Sequence, residues 1–77
     1  MDESTTLTAF GQHLRKLRLV ADYSQEQLAL SAGLDRTYIS GIERGKRNPS
    51  LINLLKIASA LNKTPSELLN FKEDDVL

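Results

Sequence analysis

The apolar residues of this chain recur three and four positions apart, which is the spacing of helices with one buried face. Four such stripes follow one another along the chain. They comprise Phe10, Leu14, Leu17 and Ala21; Leu28 and Ala32; Ile39 and Ile42; and Leu51, Leu54, Leu55, Ala58 and Leu61. No segment alternates apolar and polar residues for long enough to indicate a strand. The pattern therefore predicts an all-α fold.

Two capping boxes indicate where helices begin. In such a box a Ser or Thr side chain and a Glu or Gln side chain three residues later satisfy each other's backbone N–H groups. Ser24 with Gln27 fits this pattern, and so does Thr64 with Glu67. Pro65 suits the first position of the helix that follows Thr64, where a missing N–H removes no helical hydrogen bond.

Other residues suit the remaining helix ends. Asp35 and Ser50 are expected N-caps, and Gly33, Gly45 and Asn62 can adopt the positive φ that often ends a helix. The predicted helices span residues 8–21, 25–32, 36–44, 51–61 and 65–70. Helices this short need tertiary packing for stability. We therefore predict one compact five-helix domain with residues 6–70 as its ordered core and short acidic tails.

The composition argues against several classes of protein. The chain has 77 residues, enough for one small domain, with no cysteine and a single histidine, His13, which cannot form a metal site alone. No apolar run is long enough to span a membrane, and no signal-peptide pattern occurs. Nor does the sequence contain a paired nucleophile and base or a phosphate-binding glycine loop. We expect a cytoplasmic protein that is not an enzyme and uses no cofactor.

The charged residues are distributed unevenly. Ten Lys and Arg balance ten Asp and Glu over the whole chain, so the formal net charge is zero. Five of the acidic residues lie at the two ends: Asp2, Glu3, Glu73, Asp74 and Asp75. The stretch between them, residues 4–72, has ten basic and five acidic residues and a net charge of +5. This asymmetry fits a polyanionic partner, and it also fits two ordinary solvated tails.

The segment "QEQLALSAGLDRTYISGIER", residues 25–44, has the pattern of a helix-turn-helix. Ala29 is small where two helices must approach, and Gly33 permits an abrupt turn. The apolar residues expected to seal this junction are Leu28, Ala32, Leu34, Ile39 and Ile42. An ordinary helical hairpin would also require the glycine and much of the apolar pattern. That alternative does not explain the polar face of the second helix of the motif.

That polar face carries side chains suited to the major groove of DNA. If Ile39 and Ile42 point inward, the side chains that point outward or sideways are Arg36, Thr37, Tyr38 and Ser40. Arg donates two hydrogen bonds to guanine, and Thr offers both a hydroxyl and a methyl group. Tyr suits a phosphate or a base edge. Gly41 either lets the helix seat closely on its partner or is simply tolerated.

Next to this helix lies a basic loop stiffened by Pro49. Its polar residues are Arg44, Lys46, Arg47 and Asn48, which we expect to contact phosphates. A solvated loop without a partner is the alternative. Gln25, in the first turn of the preceding helix, is a candidate phosphate contact because a helix N-terminus attracts anions. Otherwise Gln25 is only a good first-turn residue.

Several segments within residues 10–69 resemble the XRE-type helix-turn-helix family, which includes phage repressor and Cro proteins. They are "LRKLR", "SQEQLA", "AGL", "ISGIERGKRNPSL" and "LLKIASALNKTPSELL". Within that family, "LDRTYISGIERGKRNPS" is most similar to controller proteins of bacterial restriction-modification systems, which are small dimeric regulators of the endonuclease gene and of their own gene. Asp22 and Asn62 depart from the family pattern, which usually has glycine at both positions.

The resemblance implies roles for individual residues. The implied base contacts are Arg36 and Thr37, with Tyr38 beside them, and the implied phosphate contacts are Gln25, Arg44, Arg47 and Asn48. The resemblance also implies an ion pair between Arg18 and Glu43 that packs the first helix onto the recognition helix. A weak surface pair is the alternative from sequence alone.

Members of this fold usually bind two DNA half-sites as a dimer. The residues expected at the dimer interface are Ile52, Leu68, Leu69 and Phe71, of which one or two must instead belong to the core. A monomer with all four in the core is the alternative. We expect a homodimeric, nucleoid-associated bacterial regulator of a palindromic operator. Its binding either blocks a promoter or presents a surface to RNA polymerase, and the resemblance to controller proteins implies both actions. Free-standing or phage-type repressors and protein-binding adaptor or antitoxin-like modules are the other readings.

Overall fold

Five α-helices make up the part of the chain that this computed structural model describes, residues 2–72. They are α1 (Glu3–Val20), α2 (Gln25–Ala32), α3 (Arg36–Glu43), α4 (Leu51–Ala60) and α5 (Pro65–Leu68). No strand occurs among these residues, so the all-α prediction is confirmed. None of the five helices is both long and apolar enough to cross a lipid bilayer. The predicted C-terminal acidic tail lies outside the described residues.

The first helix begins five residues before its predicted start. Asp2 caps it, because one carboxylate oxygen of Asp2 accepts the backbone N–H of Thr5 at 2.7 Å. Glu3 then occupies the first turn, where a negative charge interacts favourably with the helix dipole. The two acidic residues at the N-terminus therefore belong to a capped helix and do not form a tail.

Most of the predicted helix ends are present. Both capping boxes form, at Ser24 and at Thr64, and Ser50 accepts the N–H of Asn53 at 3.1 Å. Asp35 is an exception, since it stands at the N-cap of α3 with extended backbone but its side chain makes no capping hydrogen bond. The Asp35 side chain is therefore not the cap that the sequence suggested.

Four residues within the described range 2–72 have the left-handed backbone conformation. Gly33 and Gly45 have φ of 70° and 73°, and Asp22 and Asn62 have φ of 61° and 56°. The last two are the positions where the family pattern usually has glycine. Asp and Asn tolerate this conformation better than most residues, so the departures leave the chain turns intact.

The core lies where α1, α2, α3, α4 and α5 meet. Its largest fully buried side chains are Leu14, Leu28, Ile39, Ile42, Ile57 and Leu68. Burial of each of these side chains away from water contributes about 1.5–3 kcal/mol to the free energy of folding. Leu68 is completely inaccessible, so its predicted place in a dimer interface is wrong. It belongs to the core, where the single turn of α5 covers the end of the bundle.

The buried face of α4 differs from the predicted stripe. Ile57, Ala58 and Leu61 are buried and Leu54 is partly buried, whereas Leu51 is 67 % exposed. Leu55, also assigned to the core by the pattern, is 41 % exposed. Because α4 has apolar residues on more than one side, spacing alone does not show which side faces the core.

A glycine sets the distance between α1 and α3. Gly11 is buried, and a Cβ atom at this position would collide with the carbonyl oxygen of Ile42 and lie 2.7 Å from that of Glu43. The α1 backbone therefore touches the last turn of α3 directly. This contact supports α3 from behind and holds its opposite side toward solvent.

Candidate nucleic-acid interface

The turn between α2 and α3 has the geometry of a helix-turn-helix. Gly33 ends α2 in the left-handed conformation, with φ of 70°. The next backbone N–H, that of Leu34, donates to the carbonyl of Ala29 at 2.9 Å. Only residues 33–35 separate the two helices. The predicted motif is therefore present, and the turn between its two helices begins at Gly33.

The two faces of α3 differ sharply in exposure. Ile39 and Ile42 are 0 % and 1 % exposed, whereas Arg36 and Thr37 are exposed. Ser40 is half-buried. The first turn of α3 therefore presents an arginine and a threonine to solvent on a helix whose other side is locked into the core. These are side chains that can read base edges.

Tyr38 is held more firmly than the sequence indicated. Its ring is half-buried and packs against the core. Its hydroxyl oxygen accepts a hydrogen bond from Asn53 Nδ2 at 3.0 Å. The guanidinium carbon of Arg47 lies 5.8 Å from the ring centroid, over its face. The side chain thus has a defined position beside Thr37 before any ligand binds.

The loop after α3 carries the predicted phosphate contacts on the surface. Four of its residues are exposed: Arg44, Lys46, Arg47 and Asn48. The loop is anchored because the N–H of Lys46 donates to the carbonyl of Gly41 at 2.8 Å. Arg36 at the first residue of α3, and Arg44, Lys46 and Arg47 after its last residue, place four exposed cations on this helix and its following loop.

Gly41 provides space for the stem of Arg47. A Cβ atom at this position would lie 2.6 Å from Arg47 Cγ, which is too close for an undisturbed contact. Gly41 is itself buried. The proposed role of Gly41 in close seating of the helix on a partner is therefore revised, because the space in front of this glycine is already filled by a side chain of the same molecule.

The Arg18–Glu43 pair is present and is buried. Arg18 Nε donates to Glu43 Oε2 at 2.6 Å, and Nη2 donates to Oε1 at 2.9 Å. The two side chains are 9 % and 4 % exposed, so this is not a surface pair. Donation of hydrogen bonds to the Glu43 carboxylate raises the pKa of Arg18 above its usual value. The third guanidinium nitrogen, Nη1, donates to the carbonyl of Tyr23 at 2.8 Å.

Gln25 joins this network. Its Nε2 donates to Glu43 Oε1 at 3.1 Å, and its side chain is half-buried. The groove at the start of α2 is lined by Gln25, Ser24, Gln27 and Arg36 among others, so the first turns of α2 and α3 face one space. Gln25 therefore has a structural bond that sequence reasoning missed, and its role as a phosphate contact stays a prediction.

The four predicted interface residues separate into two groups. Ile52 is 60 % exposed and Leu69 is 48 % exposed. Phe71 is half-buried and packs edge-to-face on Phe10 with ring centroids 5.5 Å apart, whereas Leu68 is in the core. The exposed apolar residues that the prediction missed on α4 are Leu51 and Leu55.

Sequence reasoning also missed Asn53 and Gly11. Asn53 reaches Tyr38 across the interface between α4 and α3, and Gly11 allows α1 to touch α3. No local pattern marks either residue, because both act through contacts distant in sequence. His13 similarly contacts the carbonyl of Glu67, its Nε2 lying 3.2 Å from that oxygen, and so ties α1 to α5.

Comparison with known proteins supports the family suggested by these motifs. The Helix-turn-helix family model matches residues 14–68 of this chain. The control protein C.BamHI of Bacillus amyloliquefaciens is 54 % identical over 63 residues, which cover 80 % of this chain and 78 % of that protein. The control protein C.MunI of Mycoplasma sp is 55 % identical over 62 residues, covering 79 % and 84 % respectively.

A solved structure shows the same fold. The crystal structure of the restriction-modification controller protein C.AhdI from Aeromonas hydrophila matches with a TM-score of 0.82 and 55 % identity, covering 83 % of this chain and 97 % of that one. Family model, relatives and structure agree on a DNA-binding regulator that is not an enzyme. The chain belongs to the XRE-type helix-turn-helix family of DNA-binding transcription regulators and is similar to its restriction-modification controller proteins.

Proposed function

We propose that this protein is the controller of a restriction-modification system and binds a palindromic operator as a homodimer. One observation carries the proposal: Arg36 and Thr37 are exposed on the first turn of α3, while Ile39 and Ile42 behind them are buried. A helix supported in this way can enter the major groove without losing its packing. The similarity to proteins named control or controller proteins supports the narrower assignment.

In this proposal, Arg36 and Thr37 read base edges, with Tyr38 and Ser40 beside them. Arg36 donates to a guanine and Thr37 contacts a base through its hydroxyl or methyl group. The phosphate contacts are Gln25, Arg44, Lys46, Arg47 and Asn48. The exposed cations of this set neutralise phosphates and fix the register of the protein on the duplex without reading sequence.

The second copy is proposed to bind through the exposed apolar face of α4 and the residue after α5. This face comprises Leu51, Ile52, Leu55 and Leu69, with exposed fractions of 67 %, 60 %, 41 % and 48 %. Exposed apolar side chains that form a patch are expected at protein interfaces. Phe71 supports this side from within through its contact with Phe10. Two copies related by a two-fold axis then place two α3 helices in successive turns of the groove.

The regulator is proposed to act in the bacterial cytoplasm at the nucleoid, both activating and repressing. Occupancy of a site beside a promoter presents a surface to RNA polymerase, and occupancy of a site that overlaps the promoter blocks it. The same protein then has opposite effects at different concentrations. The gene of the endonuclease and the gene of the controller itself are the proposed targets.

Selection of bound DNA from a random-sequence pool tests this function. The proposal predicts enrichment of a motif with two-fold symmetry and half-site centres about one helical turn apart, roughly 34–36 Å. The motif should also occur upstream of the protein's own gene. Recovery of no motif would contradict sequence-specific binding, and recovery of a single unpaired half-site would contradict the homodimer.

A further inference from the structure

Asn53 lies on α4, outside the helix-turn-helix, and reaches the recognition helix. Its Nδ2 donates to the hydroxyl oxygen of Tyr38 at 3.0 Å. Within residues 2–72 this is the one side-chain hydrogen bond between α4 and α3. The backbone N–H of Asn53 separately donates to Ser50 Oγ, so the cap of α4 does not depend on the Asn53 side chain.

The direction of this bond determines what Tyr38 can still do. A tyrosine hydroxyl has one hydrogen to donate and an oxygen that accepts. Because Asn53 supplies the hydrogen of their shared bond, the hydroxyl hydrogen of Tyr38 is not used in it. No other hydrogen bond of this hydroxyl occurs within the described part of the chain. The hydrogen is therefore available to an acceptor outside the monomer.

The Tyr38 ring is held on a second side. The guanidinium of Arg47 lies over its face, 5.8 Å from the centroid, and the stem of Arg47 lies against Gly41. The hydroxyl oxygen is thus fixed by α4 and the ring plane by the basic loop. A side chain ordered before binding loses less conformational freedom when a partner arrives.

We propose that Asn53 is a positioning residue for DNA recognition: by donating to the Tyr38 hydroxyl oxygen, it holds the phenol so that its hydrogen is donated to an acceptor atom of the bound duplex. The inference rests on the proposed function, because it assumes that the first turn of α3 meets DNA. It adds a residue on α4, the helix that also carries the proposed dimer face, to the recognition apparatus.

Two substitutions of Asn53 distinguish positioning from simple packing. Asn53→Ala removes the donor and frees the phenol. Asn53→Asp has nearly the same shape, but an ionised carboxylate only accepts, so the Tyr38 hydroxyl must donate to it. The hydrogen is then withdrawn from the duplex. Asn53→Asp is therefore expected to weaken DNA binding more than Asn53→Ala does.

A double-mutant cycle on the full chain tests the inference. Dissociation constants for the selected operator are measured at one salt concentration for Tyr38→Phe, Asn53→Ala, Asn53→Asp and the two double variants. Tyr38→Phe and Asn53→Ala are each expected to weaken DNA binding about three- to tenfold, which is the effect of one hydrogen bond. Asn53→Ala should have no further effect in the Tyr38→Phe background. The Tyr38→Phe background lacks the hydroxyl, so the smaller effect of Asn53→Asp on DNA binding there measures the cost of its negative charge alone.

Thermal unfolding and sedimentation equilibrium accompany each variant, because a merely structural role would weaken operator binding only through a loss of stability or of dimer. Equal effects of Asn53→Ala in the two backgrounds, or no effect in either, would overturn the inference. Arg36→Ala separates this failure from that of the proposed function. If Arg36→Ala weakens operator binding while Asn53 and Tyr38 are uncoupled, only the positioning role is lost. If Arg36→Ala is also neutral, the interface itself is misassigned.

Discussion

Arg18 and Glu43 form a two-point ion pair that joins α1 to the last residue of α3. Their N–O distances are 2.6 Å and 2.9 Å, and both side chains are almost completely buried. Gln25 on α2 donates to the same carboxylate. Three helices are therefore tied together at the C-terminal end of α3, which leaves its first turn projecting as the exposed part of a rigid assembly.

Breaking this pair is predicted to destabilise the protein strongly. Arg18→Met keeps much of the side-chain volume but leaves the Glu43 carboxylate buried without its cation. Removal of one partner from a buried pair typically costs about 3–5 kcal/mol. The measurement is the free energy of unfolding from urea denaturation. If Arg18→Met does not fold, Glu43→Gln is measured in its place. Glu43→Gln keeps some of the hydrogen bonds, so its loss of unfolding free energy is expected to be smaller.

The exposed pair between Lys63 and Glu67 provides the matched control. Its atoms are 3.9 Å apart, and the two side chains are 36 % and 54 % exposed. Lys63→Ala should change the free energy of unfolding by less than about 1 kcal/mol. Equal effects of Arg18→Met and Lys63→Ala would contradict the structural role given to the buried pair.

What the sequence predicts well here is local. The capping boxes at Ser24 and Thr64 and the positive φ of Gly33 depend on residues within four positions, so the chain itself records them. The exposed face of α3 follows from Ile39 and Ile42, because α3 has one clearly apolar side. Those local features are sufficient to predict the all-α fold and the helix-turn-helix.

What the sequence does not predict depends on distant contacts. The apolar residues of α4 are spread round the helix, so spacing cannot place Ile57 inside and Leu51 outside. Leu68 is buried because α5 closes the bundle, which only the tertiary arrangement shows. Asn53 and Gly41 act through Tyr38 and an arginine of the loop, and neither has a sequence signature.

The Gly41→Ala variant should weaken DNA binding through Arg47. A methyl group at Gly41 must displace the Arg47 stem, because its Cβ would lie 2.6 Å from Arg47 Cγ. Arg47→Ala is expected to weaken binding to all sequences alike and to lower the salt slope of binding by about one. We expect Gly41→Ala to change the slope in the same direction and to have no further effect in the Arg47→Ala background. Binding isotherms at several salt concentrations measure both.

Gly33→Ala serves as the control for a general glycine effect. No atom of residues 2–72 lies within 4 Å of a Cβ placed at Gly33, but its φ of +70° strains any other residue. This variant should lose roughly 1 kcal/mol of stability and keep the wild-type salt slope. If Gly41→Ala also kept the wild-type salt slope, the space that Gly41 leaves for the Arg47 side chain would have no part in DNA binding.

The exposed face of α4 is predicted to mediate dimerisation. Ile52→Asp places a charge where the second copy is proposed to pack, and burial of an unpaired carboxylate is strongly unfavourable. Sedimentation equilibrium should show a shift toward monomer of at least tenfold in the dimer dissociation constant. Leu30→Asp is the control, since Leu30 is 82 % exposed and lies on α2, which carries none of the residues of that face. Equal dimerisation of the two variants would argue against this interface.

The cap of α1 is predicted to make stability depend on acid pH. The backbone N–H of Thr5 lowers the pKa of Asp2 below its ordinary value of 3.8. The folded state thus favours the ionised form of Asp2. The stabilisation that this cap gives to the folded protein is complete above pH 3.8, the ordinary pKa, and is lost as the pH falls through the lower pKa of the folded state. Asp2→Asn keeps a good N-cap without a titrating group. Its unfolding midpoint should fall less steeply with acidification, and parallel curves would contradict the cap.

Operator binding by Arg36→Ala tests the central claim most directly. Dissociation constants are measured at one salt concentration for the selected operator and for each of its single base-pair variants. We predict a loss of about 1–3 kcal/mol on the selected operator, roughly 5- to 150-fold, together with a loss of preference at one base pair in each half-site. Unchanged affinity and unchanged preference at every position would contradict the assignment of α3 as the recognition helix.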